Sequence, residues 1–195
     1  MQLDEIISHC QLGDIETFEE LYKQYYKKAY GTAYIISGQK DIAEDIAQEA
    51  FIVCYKSIKN IRDPQTFNTW FYRIVVRISW RMTKKHKNTC CESFIGDLNS
   101  SESAINTNDT LIEAVSSKIL IRQKIQTLKL PLKTVLILYY YNDMSIKEIS
   151  KVLDCFEGTV KSRLFKARKI LQNELTPYYV NTFEKLGLNR KEVNI

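Results

Sequence analysis

The sequence predicts an all-α chain built as two small helical domains joined by a flexible linker, and three observations predict it. Apolar residues recur every three or four positions in nearly every segment, and period-2 alternation is hard to find. Only three prolines and six glycines interrupt 195 residues. Composition then changes at Asn88, where NTCCESFIGDLNSSESAINTNDT brings Ser, Asn, Thr and acid without sustained periodicity. The expected layout is a first helical domain over 1–87, a flexible acidic and polar linker over 88–117, a second helical domain over 118–175 and a C-terminal extension over 176–195.

Element by element, the chain opens with an acidic, helix-compatible stretch, and residues 14–37 read as an aromatic-rich helix with Phe18, Leu21, Tyr22, Tyr25, Tyr26, Ala29, Tyr30, Ala33 and Tyr34 at helical spacing. A second helix runs from Asp41 to about Lys59. Ile42, Ile46, Ala50 and Val53 line one side and Asp41, Glu44, Asp45, Gln48 and Glu49 the other. Arg62-Asp63-Pro64 breaks the pattern, because the residue before a proline is pushed away from the helical region. A third helix, dense in rings and cations, spans Thr66 to about Lys87. After the linker, Pro131 is expected to begin a helix and Thr176-Pro177 to end the last one.

Residues 141–171 carry the strongest local signal. Ser145 with Glu148 three residues later forms a capping box ahead of a short helix whose inward face is Ile149, Val152 and Leu153. Asp154-Cys155-Phe156 turns the chain. A second helix then buries Val160, Leu164, Ala167 and Leu171 and leaves Lys161, Ser162, Arg163, Lys166, Arg168 and Lys169 toward solvent. A short helix, a three-residue turn and a basic second helix make a helix-turn-helix shaped for the major groove of DNA.

Charge is patterned to match. Residues 1–60 carry −4, 61–90 carry +6, 91–118 carry −4 and 119–175 return to +6, within a net +5. Two basic blocks, each on its own helical region, point to two contacts with one nucleic acid. In the first block, Phe67, Trp70, Phe71, Tyr72 and Trp80 lie among Arg73, Arg77, Arg81, Lys84, Lys85 and Lys87. Some of these rings must pack the core, but rings beside cations also form platforms on which unpaired bases stack.

No apolar run approaches the roughly 20 residues that span a bilayer, and no signal peptide is visible, so a cytoplasmic protein without membrane insertion is expected. The five cysteines, at 10, 54, 90, 91 and 155, have no disulfide-like spacing. His86 with Cys90 and Cys91 lacks the further ligands of a zinc site, so neither metal nor cofactor is expected. There is no Gly-rich phosphate loop and no nucleophile with a base at usable spacing, which argues against an enzyme. A stand-alone helix-turn-helix regulator would explain 145–171 but leave the first domain without a role.

The ordered set of parts resembles the sigma-70 family of bacterial transcription initiation factors, in its small extracytoplasmic-function (ECF) group, over about residues 12–86 and 118–175. DIAEDIAQEAFIVCYKSI is similar to region 2.2, TFNTWFYRIVVRI to regions 2.3 and 2.4, and LDCFEGTVKSRLFKARKIL to region 4.2, with EGTVKSRL the closest stretch. The resemblance implies sigma-2 and sigma-4 domains and a dissociable subunit that directs promoter-specific initiation. It implies the polymerase core as partner, through its β′ clamp and β flap, together with promoter DNA and an anti-sigma factor. By position, Asp41, Glu44, Asp45, Gln48 and Glu49 would meet the clamp. Arg62, Phe67, Trp70, Tyr72, Arg73, Arg77, Trp80, Arg81 and Lys84 would recognise and melt the −10 element, with IRDPQTF as the loop that receives a flipped base. Glu157, Thr159, Lys161, Ser162, Arg163, Lys166 and Arg168 would meet the −35 element. The chain departs from the family pattern at Asp154 and Phe156, where glycine and a serine cap are common, and at Arg77, where asparagine is frequent. Tyr178, Tyr179, Phe183, Leu186 and Leu188 in the C-terminal extension could pack back on the domain or contact a regulator.

Overall fold

Every regular element among the described residues is helical. The computed structural model describes residues 2–89 and 119–185. Most of the expected linker and the end of the expected extension lie outside them.

The first unit is α1 (Leu3–Gln11), α2 (Ile15–Ser37), α3 (Lys40–Ser57) and α4 (Phe67–Thr89), with single 3-10 turns at Ile58–Asn60 and Pro64–Thr66 between the last two. Local chemistry sets these boundaries. Asp14 caps α2 by accepting from the Thr17 amide (3.2 Å) and hydroxyl (2.7 Å). Gly38, at φ 82°, closes α2 in the left-handed conformation that glycine adopts without strain. Asp63 caps the Pro64–Thr66 turn through the Gln65 amide (3.0 Å). Gln11 fastens that connection from outside by donating to the carbonyls of Ile58 (3.2 Å) and Ile61 (2.7 Å). The break between α3 and α4 is therefore a held loop.

The second unit contains a helix over residues 119–127, α5, then α6 (Leu130–Tyr140), α7 (Ile146–Leu153) and α8 (Glu157–Lys185). Pro131 lies in the first turn of α6, as expected. The seven consecutive residues from Leu132 to Leu138 are all buried. A helix covered on every side must be packed from two directions, and α6 is: α8 covers one side and the first unit the other.

The two units are docked together. One apolar core runs from Ile7, Leu21, Ile36, Ile46 and Phe71 of the first unit into Val135, Leu138, Met144, Ile149, Val152 and Leu164 of the second. Burying an aliphatic side chain of this size contributes about 1.5–3 kcal/mol, so this seam is a substantial part of the fold. A separate cluster of Leu128, Leu132, Leu136 and Ala167 fastens α8 to its own unit.

The last helix corrects the sequence reading. It does not stop at Thr176-Pro177 but continues to Lys185. Proline in a helix interior removes one backbone bond, at a cost of about 3 kcal/mol. Tertiary contacts offset it here: Lys124 of α5 meets Glu174 at 3.6 Å and lies 5.2 Å from the centre of the Tyr178 ring.

Candidate nucleic-acid and polymerase interfaces

The helix-turn-helix forms as its sequence directs. Ser145 accepts from the Glu148 amide (3.3 Å), and the Glu148 carboxylate accepts in return from the Ser145 amide (2.8 Å). Asp154 takes the left-handed conformation at φ 51° and turns the chain, which lets the Cys155 amide reach the Ser150 carbonyl (3.0 Å). Phe156 then occupies the cap position of α8 with no side-chain acceptor to offer, and Glu157 places a carboxylate in the first turn, where the helix dipole favours it.

Val160, Leu164 and Ala167 are buried and Leu171 is half-buried, which leaves an outward face of Lys161, Ser162, Lys166 and Lys169. Two expected contact residues are partly committed elsewhere. Arg168 lies over Tyr139 and Tyr140, 5.4 Å from each ring centre, and Arg163 approaches the Cys155 sulfur at 4.0 Å. Thr159 is half-buried. The sequence reading missed Phe165, which is 69% exposed in the middle of the cationic face. Its position three residues after Ser162 and one before Lys166 is the available signal, because both of those side chains face outward.

The face on α4 is mixed. Arg62, Arg77, Arg81 and Lys84 are exposed, and Trp70 is half-buried against Phe67, with ring centres 5.9 Å apart. Phe67 and Tyr72, both expected to touch DNA, are instead core residues at 0% and 2% exposure. Phe67 packs between Tyr25 and Phe71. Burial pushes the Tyr72 phenol well above its ordinary range, opposed in part by Asn142 beside it. Phe67 faces the interior of the first unit and Tyr72 lies beside Asn142 of the second, and composition alone could not separate them from the outward rings. The second unit covers two more members of the set: the Trp80 indole donates to the Thr134 hydroxyl (2.9 Å) and Arg73 donates to the Lys151 carbonyl.

On α3, Asp41, Glu44, Asp45 and Gln48 are exposed as expected, and Glu49 is half-buried in an ion pair with Arg81. Next to the acids lies an apolar groove of about 470 Å³ lined by Phe18, Tyr22, Gln48, Phe51, Ile52, Tyr55 and Lys56. Ile52 and Tyr55, roughly half exposed, are four and seven residues beyond Gln48 and so continue its side of the helix. The surface is therefore acidic at one end and apolar at the other. Among the described residues no group of His, Cys, Asp or Glu could hold a metal ion, and no helix is long and apolar enough to cross a membrane.

Residues 21–89 match the family model for sigma-70 region 2, and residues 118–171 match that for sigma-70 region 4. The chain is 33% identical over 182 residues to the ECF RNA polymerase sigma factor SigW of Bacillus subtilis, covering 90% of this chain and 97% of that one. This chain belongs to the sigma-70 family, in its ECF group. The RNA polymerase sigma-H factor of Pseudomonas aeruginosa is 32% identical over 190 residues, covering 90% of this chain and 95% of its own.

Two solved structures share the fold of this sigma factor. CnrH, in complex with the cytosolic domain of CnrY, matches with a TM-score of 0.67 at 16% identity over 90% of this chain and 97% of CnrH. The sigma factor RpoE from Bartonella quintana, in complex with the anti-sigma factor NepR, matches with a TM-score of 0.66 at 18% identity over 83% and 98%. As an ECF sigma factor the chain binds core RNA polymerase and directs promoter-specific initiation. Sigma factors are non-enzymatic subunits, and this places the protein outside the enzymes.

Proposed function

We propose that the three surfaces divide the work of initiation between them. The exposed acids Asp41, Glu44 and Asp45, with Gln48 and the neighbouring Ile52 and Tyr55, form the face for the β′ clamp of the core, and the second unit meets the β flap. Lys161, Ser162, Phe165 and Lys166 enter the major groove at the −35 element, where hydroxyls and cations read base edges and phosphates and a phenyl ring suits a thymine methyl. Arg163 and Arg168, on the flanks of the helix, supply phosphate contacts. Arg62, Arg77, Arg81 and Lys84 track the −10 backbone, and Trp70 and Trp80 stack its unpaired bases. Strand opening then follows from binding the unpaired strand better than the duplex, without nucleotide hydrolysis by this chain.

The observation that carries this reading is the outward face of α8, where four polar or cationic side chains surround one exposed ring on a capped helix-turn-helix. The protein would act in the cytoplasm, where the polymerase is. The RpoE match was solved with an anti-sigma factor, which supports a partner of that kind here.

Run-off transcription with purified core polymerase, on a panel of genomic fragments including the chain's own upstream region, tests the proposal. Arg163→Ala should weaken promoter binding with core binding intact, and Asp45→Arg should do the reverse. Unchanged transcription in both variants would show that these faces are wrongly assigned.

A further inference from the structure

Tyr22, Tyr26, Tyr30 and Tyr34 recur at every fourth position of α2. Side chains at that spacing are neighbours on a helix surface, and the rings stack as a ladder. Successive ring centres are 5.0 Å, 6.1 Å and 6.2 Å apart, with interplanar angles of 28°, 23° and 9°. Each ring packs against the core on one side and stays half-buried. Leucine would fill such positions with better helix propensity, so core packing alone does not call for a tyrosine at each of them.

The ladder forms one side of a trough whose other side is α3. The chain reverses at Gly38, and the two helices run past each other in opposite senses. At one end Phe18 meets Tyr55 with ring centres 5.0 Å apart, and Tyr22 meets Phe51 at 4.6 Å. At the other end the ladder lies beside acids. Burial raises the Tyr30 phenol above its ordinary range, and the carboxylates of Glu44 and Asp41 raise it further. The apolar groove at Phe51 and Ile52 is thus one half of the trough, and rings beside the exposed Asp41 and Glu44 make the other. One rung shows what this surface takes. The Arg122 guanidinium of α5 lies 5.0 Å from the centre of the Tyr34 ring. A ring face attracts a cation, and a planar, weakly hydrated guanidinium stacks on it better than an ammonium does. A carboxylate at its edge adds a charge-assisted hydrogen bond.

We infer that the tyrosine ladder is a docking surface for an arginine-bearing helix of the polymerase clamp. Guanidinium groups of that helix lie on Tyr26 and Tyr30 with the α3 acids at their edges, and its apolar side chains fill the groove at Phe51 and Ile52. The net −4 of residues 1–60 suits a basic partner. This inference rests on the assignment of the α3 acids to the clamp, and it carries that face across α2 to residues the assignment does not include. It also demands a preference that charge alone does not supply, for arginine over lysine in the partner.

Titration of the full chain with purified core polymerase, followed by fluorescence anisotropy of a label at its N-terminus, tests the ladder. Tyr26→Leu with Tyr30→Leu removes two ring faces and keeps apolar bulk and helix propensity. Tyr26→Phe with Tyr30→Phe keeps the faces and removes only the hydroxyls. The leucine pair should weaken binding about tenfold and the phenylalanine pair less than about threefold, with circular dichroism confirming helix content in both. Core polymerase whose clamp-helix arginines are changed to lysine should bind wild type about fivefold more weakly, with little further loss for the leucine pair. If the leucine pair misfolds, this second arm decides on wild type alone, and unchanged affinity there overturns the inference. Ladder variants that bind like wild type, with Asp45→Arg still weakening binding, overturn it and leave the clamp assignment standing. Equal losses in the leucine and phenylalanine pairs transfer the contact to the hydroxyls and overturn it too. If Asp45→Arg and the ladder variants are all silent, the clamp assignment falls with it.

Discussion

Phe165 stands among Lys161, Ser162, Lys166 and Lys169 with most of its ring in water, an arrangement unfavourable to the free protein and suited to an apolar contact in a groove. Phe165→Ala is expected to leave folding and core binding unchanged while weakening promoter affinity by about 1 kcal/mol. Replacing the thymine it meets by uracil should reproduce that loss in wild type and add nothing in the variant, measured by fluorescence anisotropy of the polymerase complex. Inside the first unit, burial pushes the Cys10 thiol up to about 11 and the Cys54 thiol up to about 12, from an ordinary value of 9.0. Both stay protonated in the fold as the pH passes 9, whereas the unfolded chain releases those protons. Stability from this source is therefore complete below pH 9 and is lost as the pH climbs toward 12. Denaturation midpoints should fall over that interval, and both thiols should resist iodoacetamide at pH 8 until denaturant is added.

At the scale of elements, the sequence displays its local chemistry openly. The capping box of α7, the proline at the start of α6 and the break before α4 all rest on residues within four positions of each other, and all appear where the pattern puts them. The end of α8 was not legible, because what carries the helix past Pro177 is Lys124, some fifty residues away. The helix-turn-helix turn keeps one cost visible: Asp154 in the left-handed region, where glycine would fit without strain. Asp154→Gly is expected to stabilise the chain by up to about 1 kcal/mol and Asp154→Val to destabilise it by more, both read from urea denaturation midpoints.

For the whole molecule, the surfaces were readable and their mutual covering was not. The acids of α3 and the outward cations of α8 could be placed from helical spacing alone. Nothing local pairs Thr32 with Asn142, 110 positions on, or aims Tyr141 at Gly31. The burial of Phe67 and Tyr72 was hidden for a related reason, since one helix carries rings for the core and rings for solvent under the same composition. With one apolar core through both units, heating should unfold the wild type in a single cooperative transition by differential scanning calorimetry. Gly31→Gln should divide it into two.

The ion pair between Arg81 and Glu49 joins the helix assigned to promoter DNA to the helix assigned to polymerase. Genetics on such a protein would sort mutants into promoter-defective and core-defective classes, and these two positions would belong to neither. A Glu49→Lys strain would break this pair and repel the arginine, so its promoter phenotype would be secondary. A suppressor search beginning from that allele would find compensating acids at position 81, on the opposite functional face.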